Sequence, residues 1–212
     1  MRDLTCGFIG LGLIGGSIAK ALKNQQGKVD IIAFDIDKES LLLAQTENIA
    51  SVCYDELDEV AARHLGNCDI LFLCAPVSKN DENLRLIKKY LSNDCILTDV
   101  GSVKTPIHQT ILELGLNESF IGGHPMSGSE KIGFVNANAL LALRADEHNV
   151  GRVDRSFLLD DAARHAGLAR LLMLGGNGDA FDDDLAGLRE GGENLALLAL
   201  VLTGDHDHRI LG

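Results

Sequence analysis

Short, nearly unbroken hydrophobic runs alternate with segments of helical periodicity over the first 134 residues of the chain. Apolar runs without a period predict buried strands, and apolar positions repeating every three to four residues predict amphipathic helices. The runs predict strands at residues 4–9, 29–34, 51–54, 69–77, 95–98 and 120–121. The periodic segments predict helices at residues 14–22, 38–46, 55–63, 83–91 and 106–114. This alternation predicts an α/β fold with a parallel sheet covered on both faces.

The pattern changes after about residue 138. Every lysine lies at or before Lys131, Ile210 is the only isoleucine beyond residue 138, and Gly, Ala, Leu, Asp and Arg dominate the remainder. One helix is predicted near residues 193–202. We therefore divide the chain into a domain at residues 1–138 and an atypical or truncated, partly helical C-terminal segment at residues 139–212.

Composition restricts the partners of the protein. The formal net charge is −12 and the pI is about 4.9. Nucleic acids and anionic membranes are bound by clustered Lys and Arg side chains, so neither is an expected partner. Glycines interrupt the N-terminal apolar run, which is typical of a strand, a turn and a helix rather than a signal peptide. No apolar run is long enough to span a bilayer, and we expect a cytoplasmic protein.

The chain has five cysteines, an odd number, and no C-x-x-C pair. They are Cys6, Cys53, Cys68, Cys74 and Cys95. Several lie in the apolar runs, which predicts small buried side chains in a reducing compartment rather than disulfides or a metal site. The Asp and His residues at 205–208 lie in a polar terminus, and we do not expect them to bind a metal.

A glycine-rich turn follows the first predicted strand and opens the first predicted helix. Gly10, Gly12 and Gly15 have the G-x-G-x-x-G spacing of dinucleotide-binding proteins, with Leu13 and Ile14 between the last two glycines. The first glycine permits a tight turn, the second lets a pyrophosphate approach the backbone, and the third lets the helix pack closely. The helix N-terminus would then face the phosphates with free N–H groups. This context predicts a Rossmann-type, doubly wound sheet.

An acidic residue ends the second predicted strand. Asp35 lies twenty residues after Gly15, where a carboxylate can accept hydrogen bonds from the adenosine ribose hydroxyls. The same carboxylate would repel a 2′-phosphate, and Ile36 and Asp37 offer no cation to hold one. The predicted cofactor is therefore NAD rather than NADP. In the alternative interpretation the turn binds no ligand and Asp35 caps a helix.

Other strand ends should reach the same crevice, because ligands of open parallel sheets bind at the carboxyl ends of the strands. The fourth predicted strand ends at Ala75, Pro76 and Val77, the fifth is followed by Ser102, and the sixth by His124. We therefore expect His124 to lie beside the nicotinamide. The alternatives are a histidine packed in a loop and a serine that caps a helix over residues 103–114.

Four segments carry a family resemblance: GFIGLGLIGGSIAKALK, LFLCAPV, LTDVGSVKTPI and FIGGHPMSGSEKIGF. In order and spacing they resemble the prephenate/arogenate dehydrogenases of tyrosine biosynthesis, over residues 4–138. The resemblance implies NAD(P)-dependent oxidative decarboxylation of prephenate to 4-hydroxyphenylpyruvate, or of arogenate to tyrosine. It also implies a Rossmann domain followed by a helical domain that forms a homodimer.

By position, His124 matches the family's catalytic histidine, and Ser102 matches the serine that orients it and contacts substrate or nicotinamide. Glu130 matches an acidic residue at the site entrance, although it could equally be a solvated loop acid. The chemistry suits these residue types. Hydride leaves the carbinol carbon of the substrate while its O–H proton needs an acceptor, and a neutral imidazole can take that proton.

The C-terminal segment leaves the function open in one respect. In the family, an Arg and a histidine-rich helical motif of the second domain help to bind substrate, and that motif is not found in residues 139–212. Three hypotheses follow: a prephenate or arogenate dehydrogenase, an NAD-binding remnant without turnover, and a different hydroxy-acid dehydrogenase. The last is disfavoured, because the loop after His124 does not suit the lysine-based site expected in such enzymes.

Overall fold

The computed structural model describes residues 4–24, 29–123, 130–139 and 141. Six parallel strands form one sheet in the order β3-β2-β1-β4-β5-β6. The strands are β1 Leu4–Ile9, β2 Val29–Phe34, β3 Val52–Tyr54, β4 Ile70–Leu73, β5 Ile96–Asp99 and β6 Phe120–Gly122. The helices are α1 Leu13–Lys23, α2 Lys38–Thr46, α3 Glu59–Gly66, α4 Val77–Ile87 and α5 Thr105–Glu113. The predicted Rossmann-type α/β fold is confirmed.

The strand order reverses at β1. From β1 the chain moves outward to β2 and β3, then returns to the other side of β1 and continues through β4, β5 and β6. In doubly wound sheets the crevice for ligands lies at such a reversal, outside the carboxyl ends of the strands. The turn after β1 and the turn after β4 therefore both border the predicted binding crevice.

Two hydrophobic clusters cover the two faces of the sheet. Phe8 of β1 and Phe72 of β4 are fully buried on the face covered by α1 and α2, with ring centroids 4.6 Å apart and planes 5° from parallel. Ile9 and Leu73, the next residues on the same strands, pack with α3, α4 and α5 on the other face. Burial on both faces explains why these strands are apolar without a period.

Most element boundaries agree with the sequence, and the differences have local causes. α3 begins at Glu59 rather than at residue 55, because Asp58 caps it and accepts a hydrogen bond from the Ala61 N–H at 2.9 Å. The predicted strand 69–77 ends at Leu73, and Val77 already begins α4, six residues before the predicted helix. Pro at an N-cap or first turn is well tolerated, so Pro76 marks a helix start here.

The cysteines are free thiols. Cys6, Cys68 and Cys95 are buried, as predicted, whereas Cys53 and Cys74 are partly exposed. Burial raises the pKa of the Cys53 thiol to about 11, so this thiol stays protonated at neutral pH. None of the helices in the described part of the chain has the length and hydrophobicity needed to cross a membrane.

Residues 130–139, which we name the return segment, pack back onto α1 and α2. Phe134 is fully buried against Gly16, where a Cβ would lie 2.6 Å from the phenyl ring. The Lys20 ammonium lies 4.4 Å from the centroid of the same ring. The Ser17 hydroxyl accepts a hydrogen bond from the Asn138 N–H at 2.9 Å and donates to the Leu13 carbonyl at 2.6 Å. The return segment is therefore anchored on α1, the helix that the glycine-rich turn opens.

Replacing Ser17 with alanine is expected to lower the free energy of unfolding by about 1–3 kcal/mol, because a buried hydroxyl with two hydrogen bonds is lost. Urea denaturation checks this, with Ser78→Ala on the exposed surface of α4 as the control. Equal stability of the two variants would show that Ser17 does not anchor the return segment.

Candidate active site

The glycine-rich turn after β1 lies against the turn after β4. Gly10 has φ +95°, and a Cβ there would lie 2.5 Å from the Ala75 backbone nitrogen. Its N–H donates to the Phe34 carbonyl at 2.8 Å, which ties the turn to β2. A side chain at Gly10 would be strained and would also separate the two turns. Gly15 lies on the first turn of α1 and packs against Cys74, as close helix–strand packing requires.

Gly12 borders open space at the start of α1. It is the N-cap residue, with φ −75°, and no side chain caps the helix. Apart from its two neighbours in the chain, a Cβ on Gly12 would meet no atom of the described residues within 4 Å. Leu13 and Ile14 follow as the first two partly exposed residues of the helix. An open space in front of unpaired helix N–H groups can take a phosphate, and a side chain on Gly12 would fill it.

Asp35 lies at the edge of this space. One carboxylate oxygen accepts a hydrogen bond from the Leu11 N–H in the glycine-rich turn at 2.6 Å, and the other accepts from the Asp37 N–H at 2.9 Å. The N-cap of α2 is Asp37, whose side chain accepts from the Glu39 N–H. The interpretation of Asp35 as the helix cap is therefore wrong, and its carboxylate lies beside the space in front of Gly12.

The turn after β4 borders the crevice next to the glycine-rich turn. Ala75 and Pro76 connect β4 to α4, and the Asn80 amide nitrogen donates to the Leu73 and Ala75 carbonyls at 3.3 and 3.1 Å. These two bonds fix the turn, because Asn80 is 1% exposed and its position in α4 is set by packing. Val77 begins the helix and lies next to the following loop, where a Cβ on Gly101 would be 3.0 Å from its Cγ2.

A buried ion pair lies at the ends of β5 and β6, and the sequence did not predict it. The Lys104 ammonium donates to both carboxylate oxygens of Asp99 at 2.6 Å and also to the Gly123 carbonyl. The Asp99 side chain is 2% exposed and the Lys104 side chain 15%. Burial raises the pKa of the Asp99 carboxyl and lowers that of the Lys104 amine, while the attraction between the two charges opposes both shifts.

Ser102 lies in the loop that this ion pair closes, and its side chain is exposed. The interpretation of Ser102 as a helix cap is wrong, because α5 begins at Thr105 and Lys104 occupies the N-cap position. His124 lies outside the described residues, which reach Gly123, the residue directly before it. Glu130 is the first described residue after that gap and is exposed.

The thiol of Cys74 lies near this pair at the end of β4. Burial, and secondly the charge of Asp99, raise the pKa of Cys74, so the thiol remains neutral. A neutral thiol beside the glycine-rich turn acts as a small apolar group and does not compete as a nucleophile.

A family model described as "Prephenate dehydrogenase, nucleotide-binding domain" matches residues 18–145. The chain belongs to the prephenate dehydrogenase family. The prephenate dehydrogenase of Lactococcus lactis subsp. cremoris is 35% identical over 137 residues, which are 62% of this chain and 36% of that protein. The cyclohexadienyl dehydrogenase of Zymomonas mobilis is 29% identical over 126 residues, which are 59% of this chain and 42% of that protein.

Solved structures of the prephenate dehydrogenase family have the same fold. The Aquifex aeolicus prephenate dehydrogenase in complex with hydroxyphenyl propionate and NAD+ aligns at a TM-score of 0.60 and 30% identity, covering 66% of this chain and 48% of that one. The arogenate dehydrogenase of Synechocystis aligns at a TM-score of 0.56 and 30% identity, covering 64% and 45%. The chain thus spans somewhat more than a third of the length of its curated relatives and about half that of the solved structures.

Proposed function

We propose that the chain is the nucleotide-binding part of an NAD-dependent dehydrogenase that oxidatively decarboxylates prephenate to 4-hydroxyphenylpyruvate. The observation that carries this proposal is the crevice at the sheet reversal. There the open space at Gly12, the carboxylate of Asp35 and the loop of Ser102 meet at the carboxyl edge of one sheet, in a chain of the prephenate dehydrogenase family.

The crevice has the features that an NAD molecule requires. The pyrophosphate would lie against the N–H groups of Leu13 and Ile14, in the space that a side chain on Gly12 would fill. The carboxylate of Asp35 would accept hydrogen bonds from the ribose hydroxyls and repel a 2′-phosphate, which favours NAD over NADP. The NAD bound by the Aquifex aeolicus relative supports this assignment.

The nicotinamide half would extend toward β4 and β5. Ala75, Pro76 and Val77 form the turn that borders this part of the crevice, and Val77 lies next to the loop that holds Ser102. These residues would shield the reacting ring from water on one side. Such shielding strengthens every charge interaction within the site.

The chemistry assigns distinct roles to the proposed catalytic residues. The bound cofactor supplies the hydride acceptor. His124 accepts the proton from the ring hydroxyl of the substrate, and a neutral imidazole is suited to this at physiological pH. Ser102 would hold the imidazole in a productive orientation and contact the substrate or nicotinamide. Oxidation turns the ring carbinol into a ring ketone. As the ring carboxylate leaves as carbon dioxide, the electron pair of the broken carbon–carbon bond passes through the ring to the ketone oxygen, which takes up a proton, so the ring becomes an aromatic phenol.

The remaining assignments concern access and assembly. Glu130, exposed on the return segment, would lie at the entrance of the site and influence the passage of the substrate. Residues 139–212 would correspond to a remnant of the helical dimerisation domain. Prephenate and arogenate differ by a side-chain keto or amino group, and the likeness to the Synechocystis arogenate dehydrogenase makes arogenate the alternative substrate.

A second candidate function is NAD binding without turnover. It is favoured by the composition of residues 139–212, in which the family's histidine-rich motif for substrate binding is not found. Without that motif, the glycine-rich turn would still bind the cofactor, but the two carboxylates of the substrate would lack the partners that the family's second domain supplies.

Measuring NADH formation by the full 212-residue chain separates these candidates. We expect the chain to reduce NAD with prephenate and to discriminate against NADP, because the carboxylate of Asp35 faces the ribose site. The assay includes arogenate in parallel and calorimetric titration of NAD. Binding of NAD without turnover of either substrate would establish the remnant, and absence of NAD binding would contradict both candidates.

A further inference from the structure

The ion pair at the ends of β5 and β6 uses every hydrogen-bond donor of the lysine. A protonated lysine has three N–H groups. In Lys104 these meet the two carboxylate oxygens of Asp99 and the carbonyl oxygen of Gly123. No N–H group remains for a carboxylate of the substrate, although Lys104 is a cation close to the proposed site.

The carboxylate of Asp99 also accepts hydrogen bonds from backbone N–H groups of the segments that follow β5 and β6. Besides Lys104, it accepts hydrogen bonds from the Gly101 N–H at 3.1 Å and from the Gly123 N–H at 3.3 Å. The Gly123 N–H also lies 3.2 Å from the Asp99 carbonyl. Both the donor and the acceptor of the Gly123 backbone are therefore held by this one pair of side chains.

These contacts determine the direction in which the chain leaves β6. A peptide unit is planar, so fixing the nitrogen and the carbonyl oxygen of Gly123 restricts the orientation of the peptide bond that follows. The next residue in the sequence is His124. The same ion pair closes the loop of residues 99–104, which carries Ser102. The ion pair of Asp99 and Lys104 thus connects the loop that carries Ser102 with Gly123, the residue before His124.

We propose that Asp99 and Lys104 are positioning residues, which hold the loop of Ser102 and the chain exit at Gly123 in one fixed arrangement. This inference rests on the proposed function for its catalytic consequence, but its structural consequence can be measured independently. It assigns Lys104 to the positioning of the site and not to the recognition of a substrate carboxylate.

A contribution to stability alone would not account for the arrangement. Buried ion pairs are weak sources of stability, since desolvation of the two charges offsets much of their attraction. A pair that joined only Asp99 to Lys104 within one loop would satisfy both charges. Here the ammonium also reaches Gly123, nineteen residues away in the sequence and on a different strand end.

The test compares the full chain with Lys104→Met, the double variant Asp99→Asn/Lys104→Met, and the control Lys89→Met. Lys89 is exposed on the 3₁₀ turn Lys88–Tyr90 after α4, so its replacement removes the same charge from a surface position. The double variant removes both charges and keeps the experiment decisive if the single variant, with an unpaired buried carboxylate, fails to fold.

The first measurement is hydrogen exchange of individual amides by NMR. Loss of the pair is expected to accelerate exchange at Gly101 and Gly123 by about tenfold or more, because both amides lose a charged or fixed acceptor. Amides of β1 serve as the internal reference. Equal acceleration throughout the sheet, or unchanged exchange at Gly123, would overturn the proposal.

The second measurement is steady-state turnover with prephenate. Misplacement of a reacting group by about 1 Å costs roughly 100-fold in rate, so kcat should fall by about tenfold to 100-fold while KM and the Kd of NAD change little. A large rise in KM at constant kcat would identify Lys104 as a substrate ligand and overturn the proposal. If the unmodified chain shows no turnover, the proposed function fails, and the exchange measurement alone decides the role of the pair.

Discussion

Replacing His124 with asparagine is expected to lower kcat for prephenate oxidation by about 10²–10⁴-fold, the range that general base catalysis supplies. Asparagine is similar in size and polarity, but its amide cannot take up a proton near neutral pH. The Kd of NAD should stay unchanged, because the glycine-rich turn and Asp35 would hold the pyrophosphate and the adenosine ribose. Stopped-flow and steady-state assays of NADH formation, together with NAD titration, measure the two quantities separately.

The control for this substitution is His64→Asn, on the exposed surface of α3, where the imidazole contacts the Tyr54 hydroxyl. This variant should retain the turnover of the unmodified chain. Full activity of His124→Asn would exclude His124 as the base. A parallel loss of NAD affinity would instead indicate that the substitution disturbs the crevice, and the assignment of His124 to proton transfer would then be wrong.

Replacing Gly12 with valine is expected to weaken NAD binding by roughly 100-fold or more, equivalent to losing about two charged hydrogen bonds of 1.5–3 kcal/mol each. The side chain would occupy the space in front of the α1 N-terminus. The fold should tolerate it, because a Cβ on Gly12 meets no described atom within 4 Å beyond its two chain neighbours, and its φ of −75° is ordinary. Thermal unfolding should therefore be almost unchanged.

Gly10→Ala provides the opposite comparison in the same turn. Gly10 has φ +95°, and a Cβ there would lie 2.5 Å from the Ala75 nitrogen, so this variant should lose stability as well as NAD affinity. If Gly12→Val lost stability to the same extent as Gly10→Ala, the space at Gly12 would be structural and not a phosphate site.

The sequence predicts the parallel sheet and its covered faces because strands that are buried on both sides appear in the sequence as continuous apolar runs. β2 and α2 match their predicted ranges, since the apolar run of β2 ends at Asp35 and the cap of α2 is encoded locally by Asp37. The start of α4 was missed for a physical reason. Ala75 and Val77 continue the apolar run of β4, and hydrophobicity alone does not distinguish a buried strand from the first turn of a buried helix.

Contacts between distant residues explain the remaining differences. The ion pair of Asp99 and Lys104 was not predicted, because each residue is an ordinary polar residue in a loop until the fold brings Gly123 between them. The segment LTDVGSVKTPI contains both members of the pair, but only the spatial arrangement assigns them a role. The sequence around Gly16 likewise does not show why a glycine is required there. The reason is Phe134 of the return segment, whose ring would lie 2.6 Å from a Cβ at this position.

Calorimetric titration of NAD into the full chain and into Gly12→Val tests the central claim that the crevice at the sheet reversal is a dinucleotide site. The account predicts saturable binding to one site in the unmodified chain, competition by NADH, and loss of that binding in Gly12→Val with its thermal unfolding preserved. The absence of binding at millimolar NAD in the unmodified chain, or equal affinity in the two proteins, would contradict it.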